Sequence, residues 1–104
     1  MIAILYKTEN RKNASELANS LLKARLSNSI DQLPTVKSFS FNNGQIEEHE
    51  EVLLIIKTKA LLYSQVENKI KEITKSDNPK MYSLPMTQID ERYRDLLRTG
   101  VIEV

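Results

Sequence analysis

Glu47, His49 and Glu51 occupy every second position in the segment IEEHEEVLLIIKT, which runs from Ile46 to Thr58. His49 is the only histidine in the chain. On an extended backbone a spacing of two puts these three side chains on one face, with Glu48 and Glu50 on the other. An imidazole and two carboxylates form a donor set suited to a divalent cation such as zinc, nickel or copper(II). Neighbours on one face of a strand are roughly 6–7 Å apart, whereas a metal ion sits about 2.1 Å from each donor. Another strand or a second subunit must therefore complete any site built on this row. The competing reading is a solvated strand end, where acids keep an edge soluble and discourage edge pairing.

Other groups with chemical potential are scattered. Lys57, at the end of the apolar run, is a candidate contact for an anionic ligand or cofactor in a subunit cleft. It could equally extend its stem over apolar surface and pair with an acid such as Glu51. Copper(I) prefers sulfur, and the only sulfurs belong to Met1, Met81 and Met86. Met81 and Met86 are five residues apart, so a strand would point them to opposite faces, as core packing residues. Tyr6, Tyr82 and Tyr93 could line a pocket or an interface. The sequence has no Gly-rich phosphate loop, no HExxH and no GxSxG, and its histidine has no evident serine or cysteine partner. No catalytic residue is expected, and the chain reads as a non-enzyme.

These residues sit in a chain of 104 residues, which fits a single domain over positions 1–104 with one modest core. Lysine and arginine number 15 and aspartate and glutamate 14, for a net charge of +1. That balance offers no electrostatic basis for binding nucleic acid or an anionic membrane. The absence of cysteine rules out disulfides, zinc knuckles and cysteine nucleophiles within the chain. The opening MIAILYKTEN is too short in apolar residues for a signal-peptide core, and no later run approaches the length of a membrane span. A soluble cytoplasmic protein is the expectation.

The elements that would position the candidates follow from periodicity. Ile2 to Lys7 reads as a strand apolar on both faces. Ala14, Leu17, Ala18, Leu21 and Leu22 follow the helical spacing, so a helix is expected over about residues 10–26, capped by Asn13 or Asn10. VKSFSF alternates as a strand, and Asn42-Asn43-Gly44 is the turn of a hairpin into a third strand, Gln45 to about Lys57. Leu62, Val66, Ile70 and Ile73 mark a second helix over Ala60 to Thr74. Met81 to Thr87 reads as a strand whose Pro85 favours an edge. Asp90 caps a last helix reaching Leu97, and VIEV forms a final short strand. This order is the α+β, ferredoxin-like βαββαβ arrangement with an extra C-terminal helix: an antiparallel sheet with both main helices on one face.

Helices on one face leave the other uncovered. Val52, Leu54 and Ile56 alternate with Leu53 and Ile55, so each face of the third strand carries large aliphatics. Phe39 and Phe41 add to that surface. A contiguous apolar patch of this kind marks an interface, and burying each such side chain is worth roughly 1.5–3 kcal/mol. Either further copies of the chain or the extra C-terminal helix must cover it; self-association is the stronger expectation.

The run IEEHEEVLLIIKT, preceded by Asn43-Gly44, resembles the GKI-(acidic)-E-V-(apolar)-IKT signature of the CutA family of divalent-cation tolerance proteins. The likeness extends over nearly the whole chain. NASELANSLLKARL is similar to that family's first helix, LPTVKSF to the start of its second strand, and NPKMYSLPMTQIDERYRDLL to its PE-(apolar)-LP-(apolar)…YL segment. Pro34, Gly44, Glu51, Lys57, Thr58, Pro79, Leu84, Pro85 and Tyr93 fall on the family's recurrent positions. The resemblance implies a PII-like homotrimer with sheets meeting edge to edge, and a role in the response to copper or another divalent cation. It leaves open a second role, in which a small anionic metabolite or nucleotide binds between subunits. Ser29, Phe41, Asn42, Lys80 and Ile89 depart from the family pattern, and they fall where a family ligand cleft would lie.

Overall fold

The computed structural model describes all 104 residues. Its elements are β1 (Ile2–Thr8), α1 (Arg11–Lys23), β2 (Ser29–Asn42), β3 (Gln45–Thr58), α2 (Tyr63–Thr74), β4 (Lys80–Pro85) and α3 (Glu91–Arg98). A 3-10 turn, Ala60–Leu62, leads into α2. The four strands form one antiparallel sheet in the order β2-β3-β1-β4. This is the ferredoxin-like order expected from the sequence.

The core is the meeting of two periodicities. Ile2, Ile4 and Tyr6 of β1 and Val52, Leu54 and Ile56 of β3 alternate onto one face of the sheet. Ala14, Leu17 and Leu21 of α1 and Val66 and Ile70 of α2 come down on them at helical spacing. Asn10 caps α1 by accepting from the Asn13 amide at 3.0 Å, which settles the choice between the two asparagines. Asp90 caps α3 in the same way through the Tyr93 amide.

Three expectations are corrected. β2 is much longer than VKSFSF: it starts at Ser29 and passes Pro34 by a register shift between Leu33 and Val36. Proline has no N–H to give a ladder, and a bulge on an edge strand is a place that tolerates it. VIEV is not a strand. Val101 packs into the core instead, and the Ile102 amide donates to the Arg25 carbonyl. Phe39 and Phe41 do not extend the uncovered face of the sheet. They pair with Glu48 and Ile46, which share the face of Val52 and Leu54, but they stand beyond the reach of the helices and are exposed.

The turn is as expected. Asn43 and Gly44 both have positive φ, 51° and 75°, the conformation a tight hairpin needs. β2 and β3 run past β1 and β4 to this turn, so the hairpin projects as an arm and the molecule is 46 Å long.

Candidate functional site

The face of the sheet turned away from the main helices has two halves. In the apolar half, Leu5 of β1 stands between Ile55 of β3 and Tyr82 of β4. Leu33 pairs with Leu53, and Leu84 with Ala3. Leu33, Tyr82 and Leu84 remain exposed, so α3 does not seal this surface. The next row, Lys80–Lys7–Leu53, begins the charged half. Glu51, His49 and Glu47 follow along β3, opposite Val36, Ser38 and Ser40 of β2.

Strand alternation therefore places Glu47, His49 and Glu51 on one face, as their spacing required. The side chains do not form one cluster. Glu47 Oε2 lies 3.3 Å from His49 Nε2. The other ring nitrogen, Nδ1, lies 3.2 Å from Glu9 Oε1. Glu9 comes from the turn between β1 and α1, and nothing in its local sequence marks it. The pairing of Thr8 with Val52 carries it there: one step further along β1 lies beside Glu51, within reach of His49.

Glu51 turns to different partners. It is the most buried acid of the site, 3% exposed. Lys80 Nζ donates to its Oε2 at 3.1 Å. Burial raises the pKa of this carboxyl, but the Ser38 hydroxyl, Lys80 and Lys7 outweigh it and hold the group below its ordinary value. Lys7 also donates to Ser38 Oγ at 3.4 Å. Lys80 thus neutralises a buried acid. A polar cleft of about 410 Å³ opens beside this network, with Thr8, Asn10, Asn13, Ser76 and Lys80 among its walls.

Lys57 is not a free cation awaiting a ligand. It is nearly buried and donates to Asp31 Oδ2 at 2.6 Å. Its backbone carbonyl accepts from the Ser27 hydroxyl at 2.7 Å, and the neighbouring Thr58 hydroxyl donates to the Leu26 carbonyl at 2.6 Å. These bonds tie the exit of α1 to the end of β3. No set of three or more His, Asp and Glu side chains converges as it would around a preformed metal ion.

A split βαβ sheet with an elongated hairpin and a half-charged open face defines the class: a ferredoxin-like domain carrying an acid–imidazole pair on one of its two longest strands. The family model of the CutA1 divalent ion tolerance protein matches residues 2–99. The chain belongs to the CutA1 divalent ion tolerance family. It is 29% identical over 100 residues to the divalent-cation tolerance protein CutA of Pectobacterium atrosepticum, covering 96% of this chain and 91% of that one. It is 27% identical over 99 residues to the chloroplastic protein CutA of Arabidopsis thaliana, covering 95% of this chain and 54% of that protein. The chain thus spans about half the length of the plant relative. Among solved structures, CutA1 from Pyrococcus horikoshii superposes with a TM-score of 0.86 at 25% identity, over 99% of this chain and 100% of that one.

Proposed function

We propose that this chain is a non-enzymatic, cytoplasmic, homotrimeric protein of divalent-cation tolerance, with copper or another borderline cation such as zinc as the ion it answers to. The observation that carries the reading is the family match over residues 2–99. The open sheet face supports the assembly: Leu33, Tyr82 and Leu84 are exposed beside Leu5, Leu53 and Ile55, and neighbouring copies would cover them. The exposed Phe39, Phe41 and Ile46 at the arm offer a second apolar contact, well placed to reach another subunit.

Two measurements test it. Sedimentation should give three times the 12.0 kDa subunit mass, and a stable monomer at micromolar concentration would refute the assembly. Expression in a bacterial strain lacking its own family member should restore growth in rising copper. A folded, abundant protein that restores nothing would refute the tolerance role.

A further inference from the structure

We infer that His49 and Glu47 form a two-donor site for a borderline divalent cation, with Glu9 orienting the imidazole from its far side. This deepens the divalent-cation reading above and rests on it.

The distances carry the argument. Glu47 Oε2 and His49 Nε2 are 3.3 Å apart. A charged N–H···O⁻ hydrogen bond is usually shorter, about 2.7–2.9 Å. Two donors each about 2.0–2.1 Å from a tetrahedral ion stand roughly 3.3–3.4 Å apart. The pair makes a long hydrogen bond as it stands, and the same separation matches the bite of one cation. Both donors are on β3, two residues apart, and each residue is paired with a serine of β2, Ser40 and Ser38. The ladder fixes the backbone of both donors, while their side chains stay part-exposed and free to adjust to an ion.

The second nitrogen supplies an independent observation. A histidine that ligates a metal through one nitrogen characteristically donates the other N–H to a carboxylate, which sets tautomer and ring direction. Glu9 Oε1 is placed for that role, 3.2 Å from Nδ1. Because Glu9 belongs to a turn on another element, it is the orienting group, and the strand pair is the chelate. Glu51 contributes no donor, since Lys80 occupies it. Lys7 stands near Ser38, across from His49, and sets a limit on the charge the site can attract. His49, Glu47 and Glu9 are all partly exposed, so water or an incoming group completes the coordination. Nitrogen and oxygen donors of this kind select zinc, nickel or copper(II) over copper(I).

The single histidine makes the test direct. Long-range proton–nitrogen NMR of the imidazole, followed during a zinc titration of the full chain, should show one ring. Its Nε2 should move to a metal-bound position while Nδ1 stays protonated. H49A should abolish the binding isotherm, and E47Q should weaken it by at least 10-fold. E9Q should weaken it by about 10-fold or more, the usual cost of losing an orienting carboxylate. It should also remove the preference for Nε2, which a merely structural role would not do. An imidazole unmoved by zinc, coordination through Nδ1 instead, or an H49A variant that binds as the parent does would each overturn the site. The tolerance reading fails separately: an H49A chain that loses zinc but still restores copper growth leaves that reading intact and removes this site from it. Zinc bound at Nε2 in a chain that restores no growth confirms the site and sinks the tolerance role.

Discussion

Replacing Glu51 by glutamine tests whether the charged half of the sheet is a built network or a chance meeting of side chains. The substitution keeps the shape and a hydrogen-bonding terminus but removes the charge. In the parent, the carboxylate is 3% exposed and receives the Lys80 ammonium at 3.1 Å. A hydrogen bond to a charged group contributes about 1.5–3 kcal/mol. Lys80 is largely exposed, so water screens the attraction and the lower part of that range applies. The amide retains contact with Ser38, while Lys80 and Lys7 lose the negative charge they share. The expected loss is about 2 kcal/mol, or a melting temperature lower by about 10 °C for a domain of this size. Both chains are melted at one subunit concentration, so that the proposed assembly, which would make the midpoint concentration-dependent, does not enter the comparison. The pH dependence supplies the second half of the test. The Glu51 carboxyl is held below its ordinary value of 4.5 in the folded chain. A group depressed in this way adds stability above its unfolded pKa and loses it as the pH falls through the folded pKa. The gap between parent and E51Q should be full at pH 7 and should close as acid is added below about pH 4.5. Equal stability at pH 7, or a gap that does not change between neutral pH and strong acid, would refute the reasoning.

Further outcomes follow from the packing. Leu54→Ala removes a side chain with no exposure at the centre of the sheet and should cost about 2–5 kcal/mol, read as a shift in the urea midpoint. Thr58→Val keeps the shape but leaves the Leu26 carbonyl without its donor; the expected loss is about 1–3 kcal/mol in the same assay. Gly44→Ala forces a Cβ into a backbone with φ of 75° and should cost about 1–2 kcal/mol without altering the circular dichroism of the folded chain. Asp90→Ala removes the cap of α3 and should cost about 1 kcal/mol.

The parts of the fold written in local pattern were legible in the sequence. Ala14, Leu17 and Leu21 announce α1 by spacing alone, and Val52, Leu54 and Ile56 give the buried side of β3. Asn43-Gly44 gives the turn because few other residues accept its backbone angles. What was not legible depends on contacts distant in sequence. The first half of β2 is one such part, since a bulge that tolerates Pro34 is decided by the neighbouring strand. Val101 is another, because a short apolar tail has no period of its own to separate a strand from a core-packed loop. Within the site, the face shared by Glu47 and His49 was legible from alternation. Glu9 and Lys80 were not: both arrive through the register of β1 with its neighbours. The register that pairs Thr8 with Val52 carries Glu9 toward His49, and neither segment encodes it alone.

The sheet ends on two unlike borders, β2 with a bulge at Pro34 and short β4 closing at Pro85. Contact between one border and its opposite on the next molecule is head-to-tail, because the two surfaces differ. Such contact either closes into a ring or grows without limit into a filament, according to the rotation between successive copies. The two prolines restrict where backbone can be shared along each border. In any edge-to-edge assembly of this chain they would limit the ways copies could add, which favours a finite ring over a fibre.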